Sequence, residues 1–302
     1  MRTFSRWLVL ATALCGAAAH ADDNDLSIAR FGVDRRDGSA IITPEQFTQA
    51  SADFRAFART FGAVMTSANL MPPRTTGHSG YAFNAELSVV SLPESVALPT
   101  EKAQPGSVLV PSLHVRKGLP FSLELGGRVG WVEKSSMVTA TGELKWAVNE
   151  GFTYLPDVGA RLHVTKLFGA HDLDLTTTGL DIGLGKQFPL GGMVTLTPYG
   201  GLDLNFVSAA SRTLDFDPGR SLGDAAGDQS RDALINTGAY ARVSAGDNLT
   251  PRFYVGGRFI GGALQLGAEF SVTNLGSFDV AGADSRDLPS VVAFNTTLGL
   301  DF

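Results

Sequence analysis

Thiols are almost absent. Cys15 is the single cysteine in 302 residues, and it lies in an N-terminal stretch read below as removed. Disulfides, a thiolate nucleophile and thiolate metal sites are therefore excluded. Charge is also scarce, with Asp, Glu, Lys and Arg at 18% against 44% hydrophobic residues, low for a soluble enzyme of this size. The balance is acidic and no Lys/Arg cluster interrupts it, which removes the usual basis for binding nucleic acid. Beyond residue 21, no run reaches the roughly 18 apolar residues of a membrane-spanning helix. What the chain has instead is 35 Gly and 19 Phe. That mixture suits strands with one apolar face, one small or polar face, and tight turns between them.

The N-terminus reads as a secretory signal covering residues 1–21. Arg2 and Arg6 give a positive start, Trp7 to Ala19 is apolar, and Ala19-His20-Ala21 sets small residues around a cut before Asp22. Such a run is short for a bilayer anchor. A lipoprotein signal needs a small residue before its cysteine, and here Leu14 precedes Cys15, so lipidation is rejected. Removing Arg2 and Arg6 leaves 22 basic against 30 acidic residues, a net charge of −8.

Residues 22–78 form a separate N-terminal segment. Thr43 is a plausible cap with Pro44 at the first helical position. Phe47, Phe54, Phe57 and Phe61 follow on one face, which predicts an amphipathic helix over 44–62. It should end before the breaker Met71-Pro72-Pro73.

From Ser79 the period falls to two. Tyr81, Phe83, Ala85, Leu87 and Val89 alternate with polar or small neighbours, and the pattern recurs to the end of the chain in segments of about ten residues. Strands are expected near 81–90, 109–116, 121–131, 138–148, 157–165, 172–184, 194–206, 232–244, 251–260, 263–273 and 291–302. The 172–184 strand slips phase near Gly179, as at a bulge. Connections 92–106 and 207–231 are long and polar, whereas 117–120 and 186–192 are compact. A soluble β-sandwich also alternates, but 220 residues of apolar faces without compensating helices favour a closed sheet in lipid, where every backbone group must pair.

The last residues sharpen this. Val292, Phe294, Thr296, Leu298, Leu300 and Phe302 share one face, and Phe302 is terminal. This resembles the final strand of bacterial outer-membrane β-barrels. The resemblance implies an all-β transmembrane antiparallel barrel over 79–302, with a short N-terminal helical extension. It also implies location in the outer membrane of a Gram-negative bacterium, contact with its lipids, and Leu298, Leu300 and Phe302 as the signal read by the barrel assembly machinery. Eleven strands are read, but a barrel with both ends in the periplasm needs an even number. Ten result if Pro251–Val272 is one strand, and twelve if 274–285 supplies another.

The inferred interior carries Glu86, His114, Arg116, Glu124, Arg128, Glu143, Lys145, Asp157, Arg161, His163, Asp203, Arg242, Arg252, Arg258 and Glu269. Both signs are present, so the set suits either a wet conduit or a paired network filling a narrow lumen. Catalysis is not expected. There is no G-x-S-x-G, and His163 and Asp157 are about 20 Å apart along one strand. Asp34, Asp37-Gly38 and Glu45 fail as a calcium loop because Val33 and Pro44 occupy the first and twelfth positions. No metal or cofactor is therefore expected. Asp215, Asp217, Asp224 and Asp228 read as a solvated loop, with weak calcium or lipopolysaccharide bridging the alternative. Trp131, Trp146, Tyr81 and Tyr154 read as girdle residues near strand ends.

The leading functional expectation is a porin or channel passing a small solute. The alternative is a non-transporting barrel that is a structural or docking component of an envelope complex. Residues 22–72 would act either as a plug or as a contact for periplasmic envelope proteins.

Overall fold

The computed structural model describes residues 22–32, 43–100, 102, 104–192, 194–216, 235, 237–280 and 285–302. The signal reading of 1–21, the Asp34 and Asp37-Gly38 reading, and Asp217, Asp224 and Asp228 lie outside them.

Ten strands make one antiparallel meander: β1 (Tyr81–Ser91), β2 (Ser107–Leu119), β3 (Leu123–Trp131), β4 (Val138–Asn149), β5 (Asp157–Phe168), β6 (Leu173–Gly185), β7 (Val194–Ser211), β8 (Leu249–Gly261), β9 (Leu264–Thr273) and β10 (Val291–Asp301). Each pairs with the next, and β10 returns to β1 in a register running from Ala82↔Asp301 to Ser91↔Val292. The sheet closes with no free edge, so every strand has hydrogen-bonded neighbours on both sides. Tyr81 and Phe302 exchange backbone bonds of 2.8 and 2.9 Å at the seam. Among the described residues no helix is long and apolar enough to cross a membrane.

Period-two alternation turns one residue in two outward. Leu113, Val129, Leu162, Val255 and Leu298 are each more than half exposed, while Arg116, Glu124, Arg161 and Asp203 on the opposite face are buried. Connections are short at one end: 120–122, 150–156, 186–193 and 262–263. The other end carries the three long connections, 92–106, 212–248 and 274–290, together with the short 132–137 and 169–172. These are called the turn end and the loop end below. Gly262, with φ of +62°, supplies the left-handed residue of the tightest turn.

Four expectations need correction. The 232–244 stretch is not a barrel strand; its described part carries the two-residue ladder of Thr237–Gly238 with Leu214–Asp215 and a single bridge from Val243 to Ala209, within the long loop. Removing it brings eleven to ten, while 251–273 remains two strands, β8 and β9. The 274–285 stretch adds no barrel strand, only the two-residue ladder of Ser277–Phe278 with Arg286–Asp287. The phase of β6 does not slip at Gly179. Its alternation is continuous, and the register shift lies between Ala147 and Asn149 of β4.

The barrel is filled by its own chain. Helix α1 (Pro44–Met65) is three residues longer than its sequence pattern indicated and begins with a capping box between Thr43 and Gln46. Its first turns lie among loop-end residues, with Phe47 against Phe216 and Tyr240, whose ring centroids are 6.0 and 5.6 Å away. Its last turns reach into the lumen, where Gly62 lies so close to the wall that a Cβ would sit 2.8 Å from Val207. Residues 66–80 then run as an extended strap to the turn end and enter β1. The wall changes character to match. Val90, Val108, Val110, Leu167, Leu175, Val207 and Val291 face inward around α1, whereas the strap meets polar and charged side chains.

Candidate functional site

The polar half of the lumen is a network held by strands β1 to β9. His114 lies 3.0 Å from Glu86 through Nδ1 and 2.8 Å from Glu143 through Nε2. The Arg128 Nε is 2.6 Å from the other Glu86 oxygen. Arg161 donates to Glu143 at 2.9 Å and to Asp181 at 3.1 Å. Asp203 is shared by Arg252 at 2.5 Å and His163 at 3.1 Å. All of these groups are almost wholly removed from solvent. Opposite charges at these distances offset the desolvation that unpaired burial would cost.

The strap lies across this network. Arg128 donates to Ser67 Oγ, Arg161 to the carbonyl of Ser67 at 3.3 Å and Arg252 to the same carbonyl at 2.8 Å. Asn69 donates to Tyr254 Oη at 3.1 Å, and Tyr254 donates to Asp181 at 2.6 Å. Glu269 accepts from Leu70 N at 2.8 Å and from Tyr199 at 3.2 Å. Lys145 donates to the carbonyl of Pro72 at 2.5 Å, and Glu124 accepts from Thr76 N at 2.8 Å. Glu150, at the turn end, accepts from Thr75 N at 3.0 Å. An extended segment has no internal partners for its amides, so the wall satisfies them instead. Two gaps beside the junction of α1 and strap measure about 10 and 20 Å³, room for at most one water each.

Of the inward residues expected from sequence, Glu86, His114, Arg128, Glu143, Arg161, His163, Asp203 and Arg252 share the central network. Arg116, Glu124 and Lys145 sit toward the turn end, where Arg116 donates to Asn84 at 2.9 Å. Arg258 is buried in the field of Glu124 and Asp301, and Glu269 reaches the strap. Asp157 is buried at the start of β5 and accepts from Gly151 N at 2.8 Å. Arg242 is a correction: it is exposed in the segment before β8, because 232–244 is not in the wall. Phe54, Phe57 and Phe61 are buried, while Phe47 is half-buried over Tyr240. Leu298, Leu300 and Phe302 point outward at the turn end. Among the described residues no group of His, Cys, Asp or Glu is placed to hold a metal.

Asp181, Tyr254 and Ser67 were not singled out from sequence. Asp181 has the inward phase once β6 runs straight through Gly179. That glycine is inward because a Cβ there would lie 2.2 Å from His163 Nε2. Tyr254 turns inward across Gly201 and Gly183, where a Cβ would meet its hydroxyl at 2.4 and 2.9 Å. The paired glycines opposite it were the available signal.

At the loop end, residues 22–32 lie over two connections. Leu26 bridges to Thr100, Ser27 N donates to Pro99 at 2.7 Å and Asn24 N to Lys134 at 2.9 Å. Asp25 accepts from both the amide and hydroxyl of Ser136, at 2.7 and 2.9 Å. Hydrogen bonding to Asp23 raises the Lys102 ammonium above its ordinary range. Burial does the same for the Tyr240 phenol within the aromatic cluster.

A closed meander with a predominantly apolar exterior and a charged interior is inside-out relative to a soluble protein. It needs a lipid surround that its strands alone can span. The protein is an integral membrane β-barrel that crosses the bilayer with its strands. No protein-family model matches the chain, and no curated protein sequence matches it. Similar solved structures include Neisserial surface protein A, with 10% identity over 74% of this chain and 97% of that chain and a TM-score of 0.29. They also include the β domain of the Bordetella autotransporter Brka, at 12% identity, 74% and 100% coverage and a TM-score of 0.38. The translocator domain of autotransporter NalP from Neisseria meningitidis gives 12%, 86%, 98% and 0.32. The barrel's own geometry, rather than these likenesses, defines the class.

Proposed function

We propose that the protein is a sealed, non-conducting barrel that serves as a structural or docking component of the cell envelope. The observation that carries this reading is the occupied lumen, with α1 packed on an apolar wall and the strap bonded to charged groups from β2 to β9. A porin requires an aqueous path, and passage here would require the strap to abandon bonds to Arg128, Arg161, Arg252, Lys145, Glu124 and Glu269 together. Outer-membrane barrels keep short turns in the periplasm and longer loops outside. On that rule the loop end is the outer face, and the cap of loops above α1 is the docking surface. Residues 44–72 are then enclosed and unavailable to periplasmic envelope proteins.

We read the buried His163–Asp203 and His114–Glu86 contacts as parts of the scaffold rather than as catalytic pairs, since both are enclosed. The outward Leu298, Leu300 and Phe302 are displayed in the manner an assembly machinery could read.

Planar-bilayer recording tests the proposal. The full-length protein should add no steady conductance, and a variant lacking residues 22–72 should either conduct or fail to insert. Sustained ohmic conductance from the full-length protein would restore the porin reading and defeat this one.

A further inference from the structure

The described residues 22–32 and 43–80 have a direction. The segment 22–32 is at the loop end, α1 descends from that end into the lumen, and the strap leaves at the turn end to become β1. Residues Asp22 to Gly32 are held there by bonds to Pro99, Thr100, Glu133, Lys134 and Ser136, all of loop-end connections. Asp22 N itself donates to Asp25 Oδ2 at 2.9 Å, so the segment is anchored up to its first described residue. The strap is equally fixed at the other end, where Thr76 meets Glu124 and Lys117 donates to the Ser79 carbonyl at 3.0 Å.

We propose that the barrel carries its own N-terminal segment through the lumen, so that residues 22–32 form part of the cell surface. The inference rests on the sidedness adopted under the proposed function. It adds a display role: the lumen conducts polypeptide rather than solute, once, when the barrel forms around the segment. A chain exported into the periplasm then presents residues 22–32 on the far side of the membrane that its strands span. The outer cap is a composite of three loops and this segment, with Phe31 placed 5.6 Å from Phe57 and 6.2 Å from Tyr240 to join them.

Cysteine labelling tests this cleanly, because Cys15 is the only native thiol and can be replaced by Cys15→Ala. Three single-cysteine variants of the full chain are needed: Asp23→Cys in the segment, Ser95→Cys in the 92–106 loop and Ser79→Cys at the turn end. Intact cells are treated with a polyethylene-glycol maleimide too bulky to cross the outer membrane. The expected result is equal labelling of the Asp23 and Ser95 variants and none of the Ser79 variant until the membrane is permeabilised. Label on the Ser95 variant but not on the Asp23 variant would overturn the proposal while leaving the sidedness intact. Label on the Ser79 variant alone would overturn the sidedness itself. An epitope inserted after Asp22 and probed on intact cells gives a second reading should Asp23→Cys impair folding. Antibody binding supports surface display, and binding only after permeabilisation refutes it.

Discussion

Replacing Arg161 by Met decides whether the lumen is a dry network or a wet path. The guanidinium is 2% exposed, bonded to Glu143 and Asp181, and 3.9 Å from Asp203. Methionine keeps much of the stem but strands these carboxylates beside one another. Removing one partner of a buried pair costs about 3–5 kcal/mol, or roughly two to three and a half decades in the folding constant. If the same groups were bathed in water, the pair would be worth only about 0–1 kcal/mol. The gap between those outcomes is wide enough to read. Urea titration of protein refolded into lipid vesicles, followed by Trp131 and Trp146 fluorescence, supplies the measurement. Adding Asp181→Asn should recover part of the loss, because the two side chains are coupled. An Arg161→Met variant within about 0.5 kcal/mol of the parent, the scatter of substitutions away from buried features, would refute the enclosed network and with it the sealed lumen.

Other consequences follow from the cap and the lipid face. Arg59 donates to Asn248 at 2.8 Å and to the carbonyls of Leu275 and Asp247 at 2.8 and 2.9 Å. Since one charge-assisted bond contributes about 1.5–3 kcal/mol, Arg59→Met should speed proteolysis within 274–290 by roughly tenfold or more. Unchanged digestion would mean that the loops are held by something else. Tyr240 has its pKa raised by burial, so its contribution is complete below the ordinary tyrosine value near 10 and declines as pH rises through it. The Tyr240 share of tyrosinate absorbance, read as parent minus Tyr240→Phe, should therefore appear only above the ordinary tyrosine value, and protease cleavage of the 237–248 segment in the parent should rise with it. Trp131 and Trp146 are both half exposed on the outer wall, near opposite ends of the barrel. Brominated lipids should quench both, and resistance of either would place that face against protein.

The strands were legible in the sequence where one face meets lipid and the other a charged lumen, as in Leu123–Trp131 and Val138–Asn149. The same rule failed at 232–244, where Tyr240 and Val243 are buried against the cap. Alternation reports half-burial, whichever surface does the burying. It also failed at Gly179, where the missing side chain made room for His163 rather than marking a bulge. The filling of the lumen left a trace that alternation alone overlooks. Val108-Leu109-Val110 is apolar on both faces at the loop end of β2, because α1 covers the inner one, and strands buried on both sides read as continuous apolar runs. The direction of α1 had no such trace, since its caps fix where a helix starts and not which end of a barrel it faces.

The strap enters β1 without a break, so ring and axle are one polymer. A helix of about 10–12 Å diameter with side chains, carrying Phe54, Phe57 and Phe61, is a poor object to push through a barrel already closed. The register from Ala82↔Asp301 to Ser91↔Val292 is then the natural final seam, zipped once the axle is in place. Gly77, His78 and Ser79 are exposed just before that seam. A single cut there would separate the molecule into two chains, with the axle still gripped by the ring.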